Sequence, residues 1–367
     1  MISGRLTLQA EIIYEFPTIQ HSINPLNYLF TIFGIHNSNV PMKNIAIVTG
    51  GNSSEFEISV KSARAVERAL AGRYETYPVM IKGIDWYWES PSGQAYKIDK
   101  NNFSLSLQDR IVNFDAVFIA IHGTPGEDGL LQGYFELIGL PYTGCDTYTS
   151  AITFNKNACK EYLKDSNILM AKSLLFTEKN IPEPEKLADT LGLPLFIKPN
   201  ESGSSFGVSK VENIDDILPA IERAFSESDH VMAEEFVDGA EVACGVVITG
   251  DNTIVLPVTE IVSKNKFFDF EAKYDPTKAD EITPGRFPDH LTKAIQEASS
   301  RIASLLNCKG LVRVDFIVAN EKPVFIELNT IPGITEESIV PKQMKEYGIK
   351  PSELYSMLIE DAIKSKH

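Results

Sequence analysis

The sequence predicts an α/β protein of two or three domains, and three observations carry that prediction. Short apolar runs of strand length recur at 44–49, 116–121, 194–197 and 242–248, with helical periodicity between the early ones. Glycine-rich loops follow two of these runs directly, at the strand ends where open α/β sheets place ligands. The length of 367 residues suits two or three domains at roughly 100–200 residues each.

Composition narrows the function classes. Apolar residues make up 43% and charged residues 23%, an ordinary globular balance. Lys and Arg number 34 against 50 Asp and Glu, a net charge of −16. That argues against a nucleic-acid platform, which shows a basic face. It leaves local basic pockets open, because net charge governs solubility and steering rather than sites. Cys145, Cys159, Cys244 and Cys308 form neither a CxxC pair nor a zinc spacing, which fits a reducing, cytoplasmic compartment. No apolar run approaches the ~18–20 residues that span a bilayer, so no membrane partner is expected.

Along the chain, residues 1–41 carry only Arg5, Glu11 and Glu15 as charges and hold no sustained period. The apolar stretch 24–33 has no basic cluster before it and no A-x-A site after it, so it does not read as a secretory signal. Residues 1–41 are read as an upstream extension without chemistry, and Met42 opens the first strand. Helices are expected at 155–166 and 290–306. Strands 311–318 and 324–329 are expected to pair as a hairpin through the turn 319–323. Domain boundaries fall near 143 and 235.

Five segments can carry chemistry. Thr49-Gly50-Gly51-Asn52-Ser53-Ser54-Glu55-Phe56-Glu57-Ile58 fits an S-x-x-E capping box on Ser54 and Glu57; the same residues also fit a glycine-lined crevice with Glu55 aimed at a cationic group. No G-x-G-x-x-G pattern is present, against a nicotinamide enzyme. His122-Gly123-Thr124-Pro125-Gly126-Glu127-Asp128-Gly129 is a shaped loop whose histidine is either structural or catalytic. After the strand ending in Lys198, the segment Asn200–Val208 is a Gly/Ser loop that either cradles phosphate through backbone N–H groups or is a plain hairpin tip. In the late hairpin, period two places Arg313 and Asp315 on one face opposite Val312, Val314 and Phe316. Glu327 and Asn329 share a face opposite Val324, Ile326 and Leu328. Register permitting, these four polar groups meet as a hard-oxygen Mg²⁺ site, or else form a solvated polar face. The segment 264–280 mixes aromatics with charge and is either an exposed loop or a lid bringing Lys273 to phosphate and Tyr274 to substrate.

Taken in order, these motifs resemble the D-alanine–D-alanine ligases of the ATP-grasp superfamily. The resemblance rests on the run 50–59, His122-Gly123-x-x-Gly126-Glu127-Asp128-Gly129, and Leu140-Pro141-Tyr142-Thr143-Gly144. It continues through Lys198-Pro199, Gly203-Ser204-Ser205-x-Gly207-Val208, Glu271-Ala272-Lys273-Tyr274, Arg313-Val314-Asp315 and Glu327-Leu328-Asn329-Thr330-x-Pro332-Gly333. It covers roughly residues 43–360.

The resemblance implies an ATP-grasp fold of three α/β domains, here 42–143, 144–234 and 235–367, with ATP held between the central and C-terminal ones. It implies a reaction in which one D-alanine is phosphorylated by ATP and the amine of a second displaces phosphate, for peptidoglycan synthesis by a cytoplasmic homodimer. Asp315, Glu327 and Asn329 would hold two Mg²⁺ (or Mn²⁺) ions. Lys156, Lys198, Lys273 and Ser205 would contact ATP phosphates, and Glu234, Glu235, Phe236, Val237 and Glu241 the adenine and ribose. Glu55 would pair with the ammonium of the first D-alanine and His122 would lie near its carboxylate. Arg313 and the Gly333 N–H would form the oxyanion hole, while Ser338 and Ile339 would receive the second D-alanine's carboxylate. Ser204 and Tyr274 would join Glu55 in a hydrogen-bonded triad. A tyrosine at 274 favours an amine over lactate, since the related depsipeptide ligases typically lack it there. Two departures stand out: Asn200-Glu201-Ser202 replaces a more basic segment, and Glu336-Glu337 puts acids before Ser338. A related carboxylate–amine or depsipeptide ligase, and a non-catalytic ATP-binding module, are the alternative readings.

Overall fold

The computed structural model describes residues 41–203, 206–263 and 279–365. The expected extension up to residue 40, the lid segment 264–278 with Lys273 and Tyr274, and Ser204 and Ser205 lie outside the described residues. The chain from Met42 onward forms one body built, among the described residues, on three sheets.

The first sheet starts with β1 (Asn44–Gly50), followed by α1 (Phe56–Leu70), β2 (Glu75–Lys82), β3 (Asp85–Glu89), β4 (Ala95–Asp99), β5 (Ser104–Ser106), β6 (Ile111–Val112), β7 (Ala116–Ile119) and α2 (Leu130–Ile138). Its order is β6-β5-β4-β3-β2-β1-β7, with β1 parallel to both β2 and β7. β1 reads as a continuous apolar run because both its faces are covered. Ile45 and Ile47 pack toward α1, whereas Ala46 and Val48 join Phe135 of α2 on the other side. The helix after β1 does not use the expected capping box. It begins at Phe56 with Glu55 as N-cap. Ser53 Oγ accepts from the Glu55 N–H at 3.2 Å, and Ser54 Oγ turns away to Glu227 at 3.4 Å.

Two short helices, α3 (Thr147–Phe154) and α4 (Lys156–Leu163), lead into the second sheet. That sheet comprises β8 (Ser173–Thr177), β9 (Leu195–Pro199), β10 (Ser209–Val211) and β11 (His230–Glu235), with α5 (Pro184–Leu191) and α6 (Ile217–Phe225) packed on it. Its order is β10-β9-β11-β8, antiparallel throughout. β10 returns antiparallel along β9 after the Gly/Ser loop. The helix expected at 155–166 starts where expected, capped by Asn155 on the Ala158 N–H, and closes at Leu163.

The third sheet holds β12 (Ala240–Thr249), β13 (Asn252–Val255), β14 (Thr259–Ser263), β15 (Ala279–Ile282), β16 (Gly310–Ala319) and β17 (Lys322–Asn329). Helix α7 (Asp289–Leu305) packs on one face, and α8 (Ile339–Tyr347) and α9 (Pro351–Ser365) close the chain. The order is β15-β14-β12-β16-β17, with β13 on β12. The late hairpin forms as expected, but its turn is tighter than 319–323. Only Asn320 and Glu321 lie between the strands, at φ 49° and 57°, the paired positive values that match the twist of a two-residue hairpin. A second difference lies within the ladder. Arg313 pairs with Asn329 and Asp315 with Glu327, but Phe316 pairs with Phe325, so Ile326 is an extra residue in a bulge. Phe325 consequently joins Phe316 in the core, and Ile326 faces the cavity beside Glu327, not the apolar face that strict alternation predicts.

Candidate active site

A cavity of about 550 Å³ opens between the second and third sheets. Its lining contains most of the expected nucleotide residues: Lys156, Lys198, Glu234, Glu235, Phe236, Val237 and Glu241, together with Arg313, Asp315, Glu327 and Ile339. The walls at one end are apolar. Phe196 and Phe236 lie with ring centroids 6.1 Å apart, and Lys210 Nζ sits 3.9 Å over the Phe236 ring. Ile317 and the bulged Ile326 add aliphatic surface. This is a slot of the kind that takes a flat ring, with polar groups at its far end.

Those polar groups come from the hairpin and two lysines. Arg313 grips Asp315 with both prongs, Nε to Oδ1 at 2.8 Å and Nη2 to Oδ2 at 2.7 Å. Asn329 Nδ2 donates to the same carboxylate at 3.1 Å. Lys156 Nζ lies 3.4 Å from Glu327 Oε2 and donates to the Ser202 carbonyl at 2.7 Å. Lys198 and Lys160 both pair with the buried Glu234. Burial alone would raise the Glu234 carboxyl; the two ammonium groups outweigh it and hold the carboxyl below its usual range. Among the described residues no three His, Cys, Asp or Glu side chains surround one point. Two carboxylates facing across a hairpin, beside an Asn329 amide whose nitrogen faces Asp315 here, are nonetheless the hard-oxygen kind of set that Mg²⁺ uses when substrate phosphates and water complete its shell. The residues present fit that ion.

The departure at Asn200-Glu201 has a structural use. Asn200 Oδ1 accepts from the Asn157 N–H at 2.9 Å, its carbonyl accepts from the Lys156 N–H at 3.1 Å, and Glu201 accepts from Asn155 Nδ2. These residues tie the loop to the start of α4, which sets Lys156 over Glu327.

A second cluster stands at the end of the first sheet. Glu55, His122 and Glu127 are all buried. A Cβ on Gly203 would overlap Glu55 Oε2, and one on Gly123 would approach it to 3.2 Å, so two glycines let two loops close on that carboxylate. His122 Nδ1–H donates to the Ile331 carbonyl at 2.9 Å, Nε2 lies 2.8 Å from Ser62 Oγ, and burial holds the ring's pKa below its usual value. Glu127 accepts from the Gly123 N–H at 2.7 Å and the Ile331 N–H at 3.3 Å. Burial, helped by the Glu55 charge, pushes its pKa up to about 8. Ile331 lies two residues beyond the end of β17, so this cluster is stitched to the hairpin. A small cavity lined by Glu127, Lys156, Gly203, Glu327 and Asn329 connects the two regions.

At the third corner, a Cβ on Gly333 would meet Ser338 Oγ at 2.9 Å, and that hydroxyl lies 2.8 Å from Thr335 Oγ1. Glu336 and Glu337 are both exposed. Glu336 points outward, 3.9 Å from Arg68 of α1.

Models of two known families match this chain: the N-terminus of D-ala D-ala ligase over residues 44–145 and its C-terminus over 163–360. A D-alanine--D-alanine ligase from Parabacteroides distasonis is 46% identical over 327 residues, 88% of this chain and 98% of that protein. The chain belongs to the D-alanine–D-alanine ligase family. Among solved structures, the VanG D-Ala:D-Ser ligase from Enterococcus faecalis is 35% identical, with a TM-score of 0.78 over 88% of this chain and all of that one. A D-alanine--D-alanine ligase from Bacillus anthracis complexed with ATP is 28% identical, with a TM-score of 0.70 over 88% of this chain and 98% of that one. The fold is thus that of the ATP-grasp ligases, and the chain is an ATP-dependent ligase.

Sequence reasoning alone did not single out Glu127, Ser62 or Lys160. Glu127 stood inside a motif used only for its histidine and glycines. Lys160 carried a legible signal, one helical turn after Lys156 and so on the same face.

Proposed function

We propose that this chain joins two molecules of D-alanine at the expense of ATP, releasing ADP and phosphate. The observation that carries the reading is the polar hairpin face, Arg313, Asp315, Glu327 and Asn329, set between a lysine-bearing cavity and the Glu55–His122 cluster. The adenine lies in the slot of Phe196, Phe236 and Ile326, with Glu235, Val237 and Glu241 along its edge. Lys156 and Lys198 meet the phosphates, supported by Lys273 and Ser205. Asp315, Glu327 and Asn329 hold two Mg²⁺ ions, which neutralise phosphate charge when bound.

Glu55 receives the ammonium of the first D-alanine, and Ser204 and Tyr274 complete its hydrogen bonds. His122, neutral at pH 7 through its burial, fixes the Ile331 backbone and so the edge of this subsite. A carboxylate oxygen of the first D-alanine attacks the γ-phosphorus and the bond to the β-bridging oxygen breaks, leaving an acyl phosphate and ADP. Ser338 and Ile339, at the start of α8, take the carboxylate of the second D-alanine. Its neutral amine attacks the acyl carbon, Arg313 and the Gly333 N–H stabilise the oxyanion, and the C–O bond to phosphate breaks, with the proton lost by the attacking amine leaving on the departing phosphate. Because Glu336 turns outward to Arg68, it does not oppose the second carboxylate. We further propose a cytoplasmic homodimer acting in peptidoglycan synthesis.

Incubating the chain with ATP and Mg²⁺, and with D-alanine, L-alanine, D-serine or D-lactate as partners, tests this directly. ADP release with D-Ala–D-Ala as the product by mass, and none from L-alanine, is the expected result. A mixed product with D-serine or D-lactate in excess would overturn the second-substrate assignment, and no ADP under any condition would overturn the reaction.

A further inference from the structure

Beneath the cavity, two buried ammonium groups converge on one buried carboxylate. The Lys160 and Lys198 side chains are each 8% exposed and Glu234 is 5% exposed. Lys160 Nζ lies 2.6 Å from Glu234 Oε1 and donates to the Ala171 carbonyl at 2.6 Å. Lys198 Nζ binds the other oxygen, Oε2. Lys198 and Glu234 line the cavity, whereas Lys160 is not among its lining residues. It stands behind, on α4.

We infer that Lys160 is a positioning residue for nucleotide phosphates: it neutralises Glu234 from behind the cavity wall, so that Lys198 keeps a net positive charge for the anionic groups that enter. The inference rests on the ATP reading above. With two ammonium groups and one carboxylate, the cluster carries one net positive charge. Without Lys160, Lys198 and Glu234 would form a closed neutral pair in a low-dielectric wall. A phosphate could then recruit Lys198 only by leaving a buried carboxylate without a cation, which is strongly unfavourable. With Lys160 held by Glu234 and the Ala171 carbonyl, Lys198 can turn to phosphate while Glu234 stays paired.

The test compares dissociation constants for ADP and adenosine, measured by calorimetry on the full chain, in wild type, Lys160→Met and Lys160→Met/Glu234→Gln. Adenosine shares the base and ribose but lacks phosphate. The ratio of the two affinities therefore reports the phosphate-binding groups alone and cancels any base contact of Glu234, and its change between variants reports Lys198, since Lys156 is left untouched. Lys160→Met is expected to weaken ADP roughly tenfold or more and leave adenosine unchanged. The double variant, which removes one charge of each sign and leaves Lys198 cationic, is expected to regain the wild-type ratio. Equal weakening of both ligands by Lys160→Met, or a double variant no better than the single one, would overturn the inference. If the single variant does not fold, the double variant decides alone by its ratio. A wild-type chain that binds no ADP at all would instead sink the nucleotide reading, a distinct failure.

Discussion

Glu127 shows what burial does to a single acid. Its carboxyl is sealed between the Gly123 and Ile331 N–H groups, with Glu55 and Glu327 near enough to oppose its ionisation. A folded pKa of about 8, against an ordinary value near 4.3 in the unfolded chain, fixes the sign of the linkage. Between those values the folded state binds the proton and the unfolded state does not, so this group's contribution to stability is full at low pH and is lost as pH rises toward 8. Glu127→Gln removes the titration and one of the two acceptors. The melting temperature of wild type minus that of Glu127→Gln is therefore expected to fall between pH 5 and pH 8.5, measured by thermal unfolding in matched buffers. A difference that stays flat or rises would show that Glu127 ionises normally. Charged residues inside strands, such as Lys198 in β9 and Asp315 in β16, were legible in the sequence because they interrupt apolar runs. Glu127 was not, because a glycine-rich loop hides which acid turns inward.

At the level of elements, the hairpin β16–β17 was readable in its strands and in the pairing of its polar face, but not in its two irregularities. A one-residue bulge shifts the phase of a period-two pattern, but Val324, Phe325 and Ile326 are all apolar, so the pattern does not show where the shift falls. Here the bulge at Ile326 lets one strand send Phe325 to the core and both Ile326 and Glu327 to the cavity. The turn is the other irregularity. Glu321 holds φ 57°, a left-handed conformation that costs a residue with a Cβ roughly 1–2 kcal/mol. Glycine removes that strain, although it loses more chain entropy on folding. Glu321→Gly is expected to raise unfolding free energy by about 0.5–1 kcal/mol, seen as a higher urea midpoint at unchanged slope. Activity should stay at the wild-type level, since the turn lies at the end of the hairpin away from Asn329. A lower midpoint would mean that the Glu321 side chain contributes something this strain argument omits.

For the whole molecule, the decisive feature is a core that ignores sequence order. Leu354, Tyr355, Leu358 and Ile359 of α9, the last helix, pack in one cluster with Ile45, Ile47 and Phe118 of the first sheet and with Val247 and Leu311 of the third. Tyr355 is 1% exposed, stacks edge-on against Phe118 with centroids 5.5 Å apart, and points its hydroxyl at the Ile334 carbonyl, 3.5 Å away. Apolar periodicity marks such a helix as buried without naming what buries it, which is why this joint was not legible in the sequence. The joint matters because the Glu55–His122 cluster sits on the first sheet while the hairpin, which Ile331 follows by two residues, belongs to the third. Removing the ring in Tyr355→Ala should cost about 3–5 kcal/mol, the range for a large buried aromatic, and should loosen the first sheet from the rest. Both tryptophans of the chain, Trp86 and Trp88, lie on β3 of that first sheet, so indole fluorescence reports it alone while far-ultraviolet dichroism reports all three. Urea transitions followed by the two signals should coincide in wild type. In Tyr355→Ala the fluorescence transition should move to lower urea than the dichroism transition. If both signals move together by the same amount, α9 stabilises the body uniformly and is not the joint that seats the first sheet against the hairpin.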